Sequence, residues 1–241
     1  MLLKRTAYVY RGAATCPDSC ADAYIELVES AGFTVVNKDL PIKDCITEED
    51  LIGVSLYVQP GGNADIDIDF AVVKNQVEVI QNFVKAGGRY IGSCTGCWLS
   101  TKGYYELLPY EAGYYVALHN KNRGKHGGIK VNDTDNHILQ IDWTKLDRIT
   151  ETRSILYAGG PFIAGAGATN PEEVVAWFME RVPAAVVRPY GNGIVAVCGA
   201  HPEASQEWYD DSPKKDQEEW DGRLALDLAL DMIERLGPWE N

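Results

Sequence analysis

Gly88-Arg-Tyr-Ile-Gly-Ser-Cys-Thr-Gly-Cys-Trp-Leu99 is the stretch on which the reading of this chain turns. Arg89–Gly92 has the character of a very short β-strand. The segment from Thr95 or Gly96 toward Tyr105 has that of a helix, so Cys94 falls in the turn between them. Gly92 and Gly96 flank the cysteine where a β-carbon would collide with a sharply turning backbone. This is the nucleophile-elbow pattern with cysteine in the serine position. Such a turn lifts the sulfur above the sheet edge, and the start of the next helix favours the thiolate. The competing explanation is a buried structural cysteine beside a tight turn. The position at the carboxyl end of a strand, where open α/β sheets gather their ligand sites, favours chemistry.

Outward from this stretch, strands and helices alternate. Arg5–Tyr10 reads as a strand, Gly12–Cys20 as a turn-rich loop, and Ala21–Ser30 as a helix with Tyr24, Leu27, Val28 and Ala31 on one face and Gly32 placed to stop it. Phe33–Val36 and Leu51–Val58 read as further strands, the latter ending at Pro60-Gly61-Gly62. In Asp69–Ala86, Phe70, Val73, Val77, Ile80, Phe83 and Val84 recur at helical steps, and Gly87-Gly88 ends the run. Repeated strand–helix–strand units predict an α/β fold: a mainly parallel sheet with helices on both faces.

The middle is less regular. Tyr114–Leu118, Gly128–Val131 and Ser154–Tyr157 have strand character, which predicts an antiparallel extension of the sheet within a single domain spanning 1–241. Beyond it, Asn170 as cap and Pro171 as first residue predict a helix over Pro171–Met179. Ala184–Arg188 and Gly193–Cys198 read as strands joined by a hairpin turn. Ser205–Asp221 reads as an exposed acidic loop, and Arg223–Leu236 as a last helix carrying Leu224, Leu228, Met232 and Ile233 toward the sheet.

Bulk composition narrows the function. The chain has 241 residues, with 22 Lys plus Arg against 35 Asp plus Glu, a net charge of −13. That field repels phosphate backbones and anionic membranes, so neither nucleic acid nor membrane is an expected partner. No apolar run approaches the roughly 18 residues a membrane helix needs. The start, Met1-Leu-Leu-Lys-Arg, does not resemble a signal peptide, and Asn132-Asp-Thr134 is too common a tripeptide to argue for secretion, so a cytoplasmic protein is expected. Six cysteines are too few for a disulfide scaffold. They comprise the pairs Cys16/Cys20 and Cys94/Cys97 plus Cys45 and Cys198.

Thiol chemistry needs a base and an oxyanion site. Of the four histidines, His119, His126 and His137 lie in the irregular middle and read as surface or turn residues. His201 directly follows the strand Gly193–Cys198, at the same sheet edge as Cys94, and Glu203 stands two residues on to hold its tautomer. Backbone N–H groups of Pro60-Gly61-Gly62 and Thr95 are candidates for an oxyanion site; a plain type II turn is the alternative.

Four segments then carry a resemblance: Val58-Gln-Pro-Gly-Gly-Asn63, Gly88 through Leu99, Tyr157-Ala-Gly-Gly-Pro-Phe162 and Gly199-Ala-His-Pro-Glu203. In this order they resemble the class I glutamine amidotransferase-like superfamily, and within it the biotin–protein ligase amino-terminal domain family. The resemblance implies a flavodoxin-like arrangement of the sheet, with Cys94 as nucleophile, His201 as base and Glu203 as third triad member. It places Gly61, Gly62 and Thr95 at oxyanion positions, and Tyr157, Gly159 and Gly160 near the pocket as substrate-binding positions. No ligase catalytic domain follows the last helix, so biotinylation is not expected. Nor do the residues that recognise glutamine in true glutaminases have counterparts here.

The expected activity is hydrolysis of an amide or related carbon–nitrogen bond through an acyl-enzyme. No cofactor or metal is expected, the substrate is a small amide or peptide-like molecule, and a homodimer is allowed. Three alternatives stand beside it: a thiol redox protein using Cys94 with Cys97, a loosely spaced zinc site of Cys16, Cys20, Cys94 and Cys97, and a non-catalytic binding module on the same fold.

Overall fold

The computed structural model describes residues 2–63, 65–115, 137–212 and 220–240, without the side chains of residues 17 and 18. Its frame is a nine-stranded sheet in the order β2-β1-β3-β4-β11-β10-β9-β6-β7. The parallel half contains β2 (Thr34–Val35), β1 (Thr6–Val9), β3 (Leu56–Gln59), β4 (Arg89–Ser93) and β11 (Gly193–Cys198). These strands are apolar and almost continuously buried, as parallel strands covered on both faces must be.

Side-chain alternation divides the core. Ala7, Val9, Leu56, Val58 and Ile91 face α1 (Asp22–Ser30) and the carboxy-terminal helix Leu226–Arg235. Tyr8, Tyr57, Tyr90, Val195 and Val197 face α2 (Ile66–Val73), α3 (Val77–Lys85) and α4 (Thr95–Ser100). On that second face Gln76 donates to the hydroxyls of Tyr57 and Tyr105, at 3.2 and 2.7 Å, so the buried tyrosines keep polar partners.

From β11 the sheet continues antiparallel through β10 (Val182–Tyr190), β9 (Val174–Phe178), β6 (His137–Thr144) and β7 (Thr150–Tyr157). The β6–β7 register runs from His137 opposite Tyr157 to Thr144 opposite Thr150. This half curls back on itself: the His201 N–H, just beyond β11, donates to Leu156 O of β7 at 2.8 Å and forms an isolated antiparallel bridge. A small second sheet pairs β5 (Glu111–Tyr114) with β8 (Pro161–Ala164).

Several expectations need correction. Pro171–Met179 is not a helix. The Asn170 side chain makes no cap hydrogen bond and donates to the Tyr110 hydroxyl instead, Pro171 opens only a 3₁₀ turn, Pro171–Glu173, and Val174–Phe178 is the strand β9 between β10 and β6. Its β-branched and aromatic side chains fit a pleated, buried surface. The helix expected over Asp69–Ala86 begins earlier, at Ile66, because Asp65 caps it through the N–H groups of Asp67 and Ile68, and the 3₁₀ turn Lys74–Gln76 interrupts it. The strand expected from Leu51 starts at Leu56, after the 3₁₀ turn Glu48–Leu51.

Ser205–Asp221 is not loop alone, since Gln206–Asp210 is helical with Tyr209 buried. His137 is not on the surface but buried at the start of β6. His119, His126, Asn132–Thr134, Gly128–Val131, residues 116–118 and residues 213–219 of the acidic segment lie outside the described residues. Among the described residues, no helix is long and apolar enough to cross a membrane.

Candidate functional site: a cysteine pocket at the carboxyl edge of the sheet

Cys94 sits between β4 and α4 with φ 49° and ψ −111°, a conformation that an L residue adopts only at a cost of about 1–3 kcal/mol. The surroundings enforce it. Cys94 N–H donates to Cys198 O at 3.0 Å, and Trp98 N–H donates to Cys94 O at 3.0 Å. A β-carbon on Gly92 would lie 2.8 Å from Gly96 C, and one on Gly96 only 1.9 Å from Gln59 O. Both glycines are therefore steric requirements of this turn. The Cys94 thiol donates to Ala158 O at 3.3 Å, which ties it to the turn after β7.

His201 and Glu203 follow β11 and are both buried, with Nδ1 and Oε1 2.9 Å apart. The same Oε1 accepts a 2.6 Å hydrogen bond from the Ser93 hydroxyl, while Oε2 is buried without a partner. Burial works against a charged imidazole. Attraction to a Cys94 thiolate and to the Glu203 carboxylate outweighs it, with hydrogen bonds donated by the ring to both, and pushes His201 up to about 10. Trp208 stands edge-on to the imidazole, with ring centroids 5.4 Å apart.

Gly61 is where these groups meet. A β-carbon built there would lie 2.7 Å from His201 Cε1, 3.1 Å from Cys20 Sγ and 3.5 Å from Cys94 Cβ. Gly62 is equally restricted, with Asp69 Oδ2 at 2.7 Å and Thr95 Oγ1 at 2.9 Å from the corresponding point. Asp69, fully buried, accepts from Asn63 N at 3.0 Å and Asn63 Nδ2 at 2.7 Å, and so anchors the glycine loop. Burial raises its pKa, and the Asn63 and Thr95 hydrogen bonds offset part of that rise. On the other side the Gly61 carbonyl accepts from Thr15 Oγ, and the Gly62 carbonyl accepts from Cys16 Sγ at 3.3 Å.

Around the Cys94 sulfur opens a cavity of about 360 Å³. Of the residues singled out in the sequence, Cys94, Thr95, Gly62, Gly159 and His201 line it; Glu203 lies behind His201 and Gly61 beneath it. Tyr157 does not reach the cavity: it is in the core and donates to Gly160 O at 2.7 Å. Gly160 packs against the Gly199 carbonyl and lies 3.3 Å from Cys94 Cα at its β-carbon position. Cys97 is turned into the core beside α2 and α3, and burial pushes its thiol well above the usual range.

Cys16, just before the turn Pro17–Ala21, and Cys20 within it line the cavity as free thiols. The Cys20 hydrogen bond is the chief reason Cys16 is lowered to about 7, with His201 adding to it against the opposing effect of burial. Among the described residues, no group of three or more His, Cys, Asp or Glu is arranged to hold a metal ion. Sequence reasoning did not single out Ser93, Asp69, Trp98, Tyr114, Trp208 or Asp211, all of which line or brace this site.

Residues 6–106 match a family model described as the amino-terminal part of biotin-protein ligase. In fold the chain is similar to a glutamine amido transferase from Methylobacillus flagellatus, with TM-score 0.60 and 12% identity over 100% of this chain and 98% of that one. A second glutamine amidotransferase gives TM-score 0.54 and 15% identity over 83% and 90%. A cytoplasmic protein from Salmonella typhimurium gives TM-score 0.53 and 11% identity over 97% and 99%. No curated protein sequence matches the chain. The fold is thus shared with these two glutamine amidotransferases, and the sheet carries an antiparallel extension.

Proposed function

We propose that this chain is a cysteine hydrolase acting on an amide or related carbon–nitrogen bond. The supporting observation is the crowding of His201 Cε1, Cys20 Sγ and Cys94 Cβ over Gly61, with Glu203 bonded to the far side of the imidazole. In this reading Cys94 attacks the amide carbonyl as a thiolate, with His201 holding its proton. His201 then protonates the leaving amine, and water, deprotonated by the same imidazole, releases the acid and regenerates the thiol. Glu203 keeps the Nδ1 proton in place, so that Nε2 takes part in transfer.

Gly62 N–H and Thr95 N–H are assigned to the oxyanion. With the Gly61 carbonyl fixed on Thr15 Oγ, the planar trans peptide turns the Gly62 N–H to the opposite side. A redox role through Cys94 and Cys97 has less support, because Cys97 lies in the core and not in the cavity. By analogy with the Salmonella protein of the same fold, we place the enzyme in the cytoplasm.

A thiol-directed acylating probe tests the proposal. Cys94 should be acylated in the native protein, Cys94→Ser should abolish both labelling and turnover, and His201→Ala should slow acylation about 10²–10⁴-fold. Unchanged labelling of Cys94→Ser, with the probe on Cys16, would show that the reactive group is a different one.

A further inference from the structure

The charge and shape of the cavity bear on what it accepts. Trp98 and Tyr114 form one wall, their rings 4.7 Å apart between centroids and tilted by 55°. Trp208 stands edge-on to His201, and Asp211, exposed and one helical turn further on, is also among the lining residues. Among the described residues lining the cavity there is no lysine or arginine.

A Cys94 thiolate and the Glu203 carboxylate around one His201 imidazolium leave a single negative charge, and Asp211 adds a second at the rim. Cys16, lowered to about 7 chiefly by its hydrogen bond from Cys20, adds negative charge as it ionises. Aromatic faces are themselves the negative parts of their rings and hold cations within about 6 Å of a centroid. A substrate carrying a free carboxylate, as glutamine does, would bring that group into this cavity without a described cation to pair with, at the cost of its hydration.

We propose that the substrate is a cationic amide, whose ammonium or alkylammonium group rests among Trp98, Tyr114 and Trp208 and is neutralised by Asp211. The inference rests on Cys94 being the nucleophile, and it narrows the substrate class of that same site.

Methanethiosulfonates of different charge test both levels without requiring turnover. The thiolate attacks the sulfenyl sulfur, the S–S bond to the sulfonyl group breaks, methanesulfinate leaves, and a mixed disulfide remains. Native protein is treated at pH 7 with the neutral methyl, cationic trimethylammonioethyl and anionic sulfonatoethyl reagents. Rates at Cys94 are read by peptide mass spectrometry, separately from Cys16, and divided by the rates of the same reagents with a free cysteine peptide.

The expected result is a preference for the cation over the anion of about tenfold or more at Cys94, reduced about threefold or more in Asp211→Asn. Equal rates, or a faster anion, at a reactive Cys94 would overturn the inference alone. A preference left undiminished by Asp211→Asn would also overturn it, since the net charge of −13 would by itself produce that pattern. A Cys94 that resists even the neutral reagent in the folded protein would overturn the hydrolase reading, and the inference with it.

Discussion

Replacing Glu203 by glutamine keeps the shape of the side chain and removes its charge. In the native protein His201 Nδ1 and Glu203 Oε1 are 2.9 Å apart, with side-chain exposures of 3% and 0%. Hydrogen bonds to charged groups contribute about 1.5–3 kcal/mol, and one pKa unit corresponds to about 1.36 kcal/mol. Glu203→Gln should therefore lower the pKa of His201, now about 10, by about one to two units. The sign for stability follows from linkage. A histidine raised from 6.5 to about 10 keeps its proton in the folded state where the unfolded chain has lost it. Its contribution is complete below pH 6.5 and disappears as pH rises through 10. The stability advantage of wild type over Glu203→Gln should thus be largest at pH 6 and vanish above pH 10. NMR titration of the His201 Cε1–H signal, assigned by its loss in His201→Gln, measures the first quantity, and urea unfolding of both proteins at several pH values measures the second. A wild-type His201 titrating near 6.5, or one unmoved by the substitution, would refute the reasoning.

Ser93→Ala removes the 2.6 Å donor to Glu203 Oε1 and leaves a buried carboxylate with one partner fewer. It should cost about 1–3 kcal/mol in urea unfolding and lower kcat more than it raises KM, with Ser93→Thr restoring part of both. Gly96→Ala places a β-carbon 1.9 Å from the Gln59 carbonyl and should destabilise by about 3 kcal/mol or more. Gly53→Ala, at φ +75° with open space around it, should cost only about 1–2 kcal/mol in the same unfolding assay. Alkylation of Cys16 by iodoacetamide should rise with a midpoint near pH 7, and Cys20→Ala should move that midpoint upward, as read from pH-dependent rates at the Cys16 peptide.

What could be read in the sequence was steric or local. Gly92 and Gly96 mark a sharp turn around Cys94 because no other residue type tolerates their contacts, and the strand immediately before His201 places it. What escaped notice depended on partners far along the chain. Ser93 meets Glu203 across 110 residues, and nothing in Gly92-Ser93-Cys94 distinguishes a serine bonded to a carboxylate from a filler. Asp69 looked like one more acid at the start of a helix, yet it is buried beneath the glycine loop. Val174–Phe178 looks helical because Asn170-Pro171 has the composition of a helix start, yet pairing with β10 and β6 makes it a strand. The strand His137–Thr144 did carry a signal, since Ile141 and Trp143 alternate with Gln140, Asp142 and Thr144.

The hydrogen bond between His201 N–H and Leu156 O, which joins the far edge of the sheet to the segment after β11, has an evolutionary consequence. Ala158 and Gly159, which form the wall beside the sulfur, are delivered by a hairpin whose other end lies out of reach of the chemistry. Relatives that differ only in the length or pairing of that hairpin would present a different chamber to the same sulfur and imidazole. On the hydrolase proposal, selectivity diversifies through remote insertions while Cys94 and His201 stay as they are.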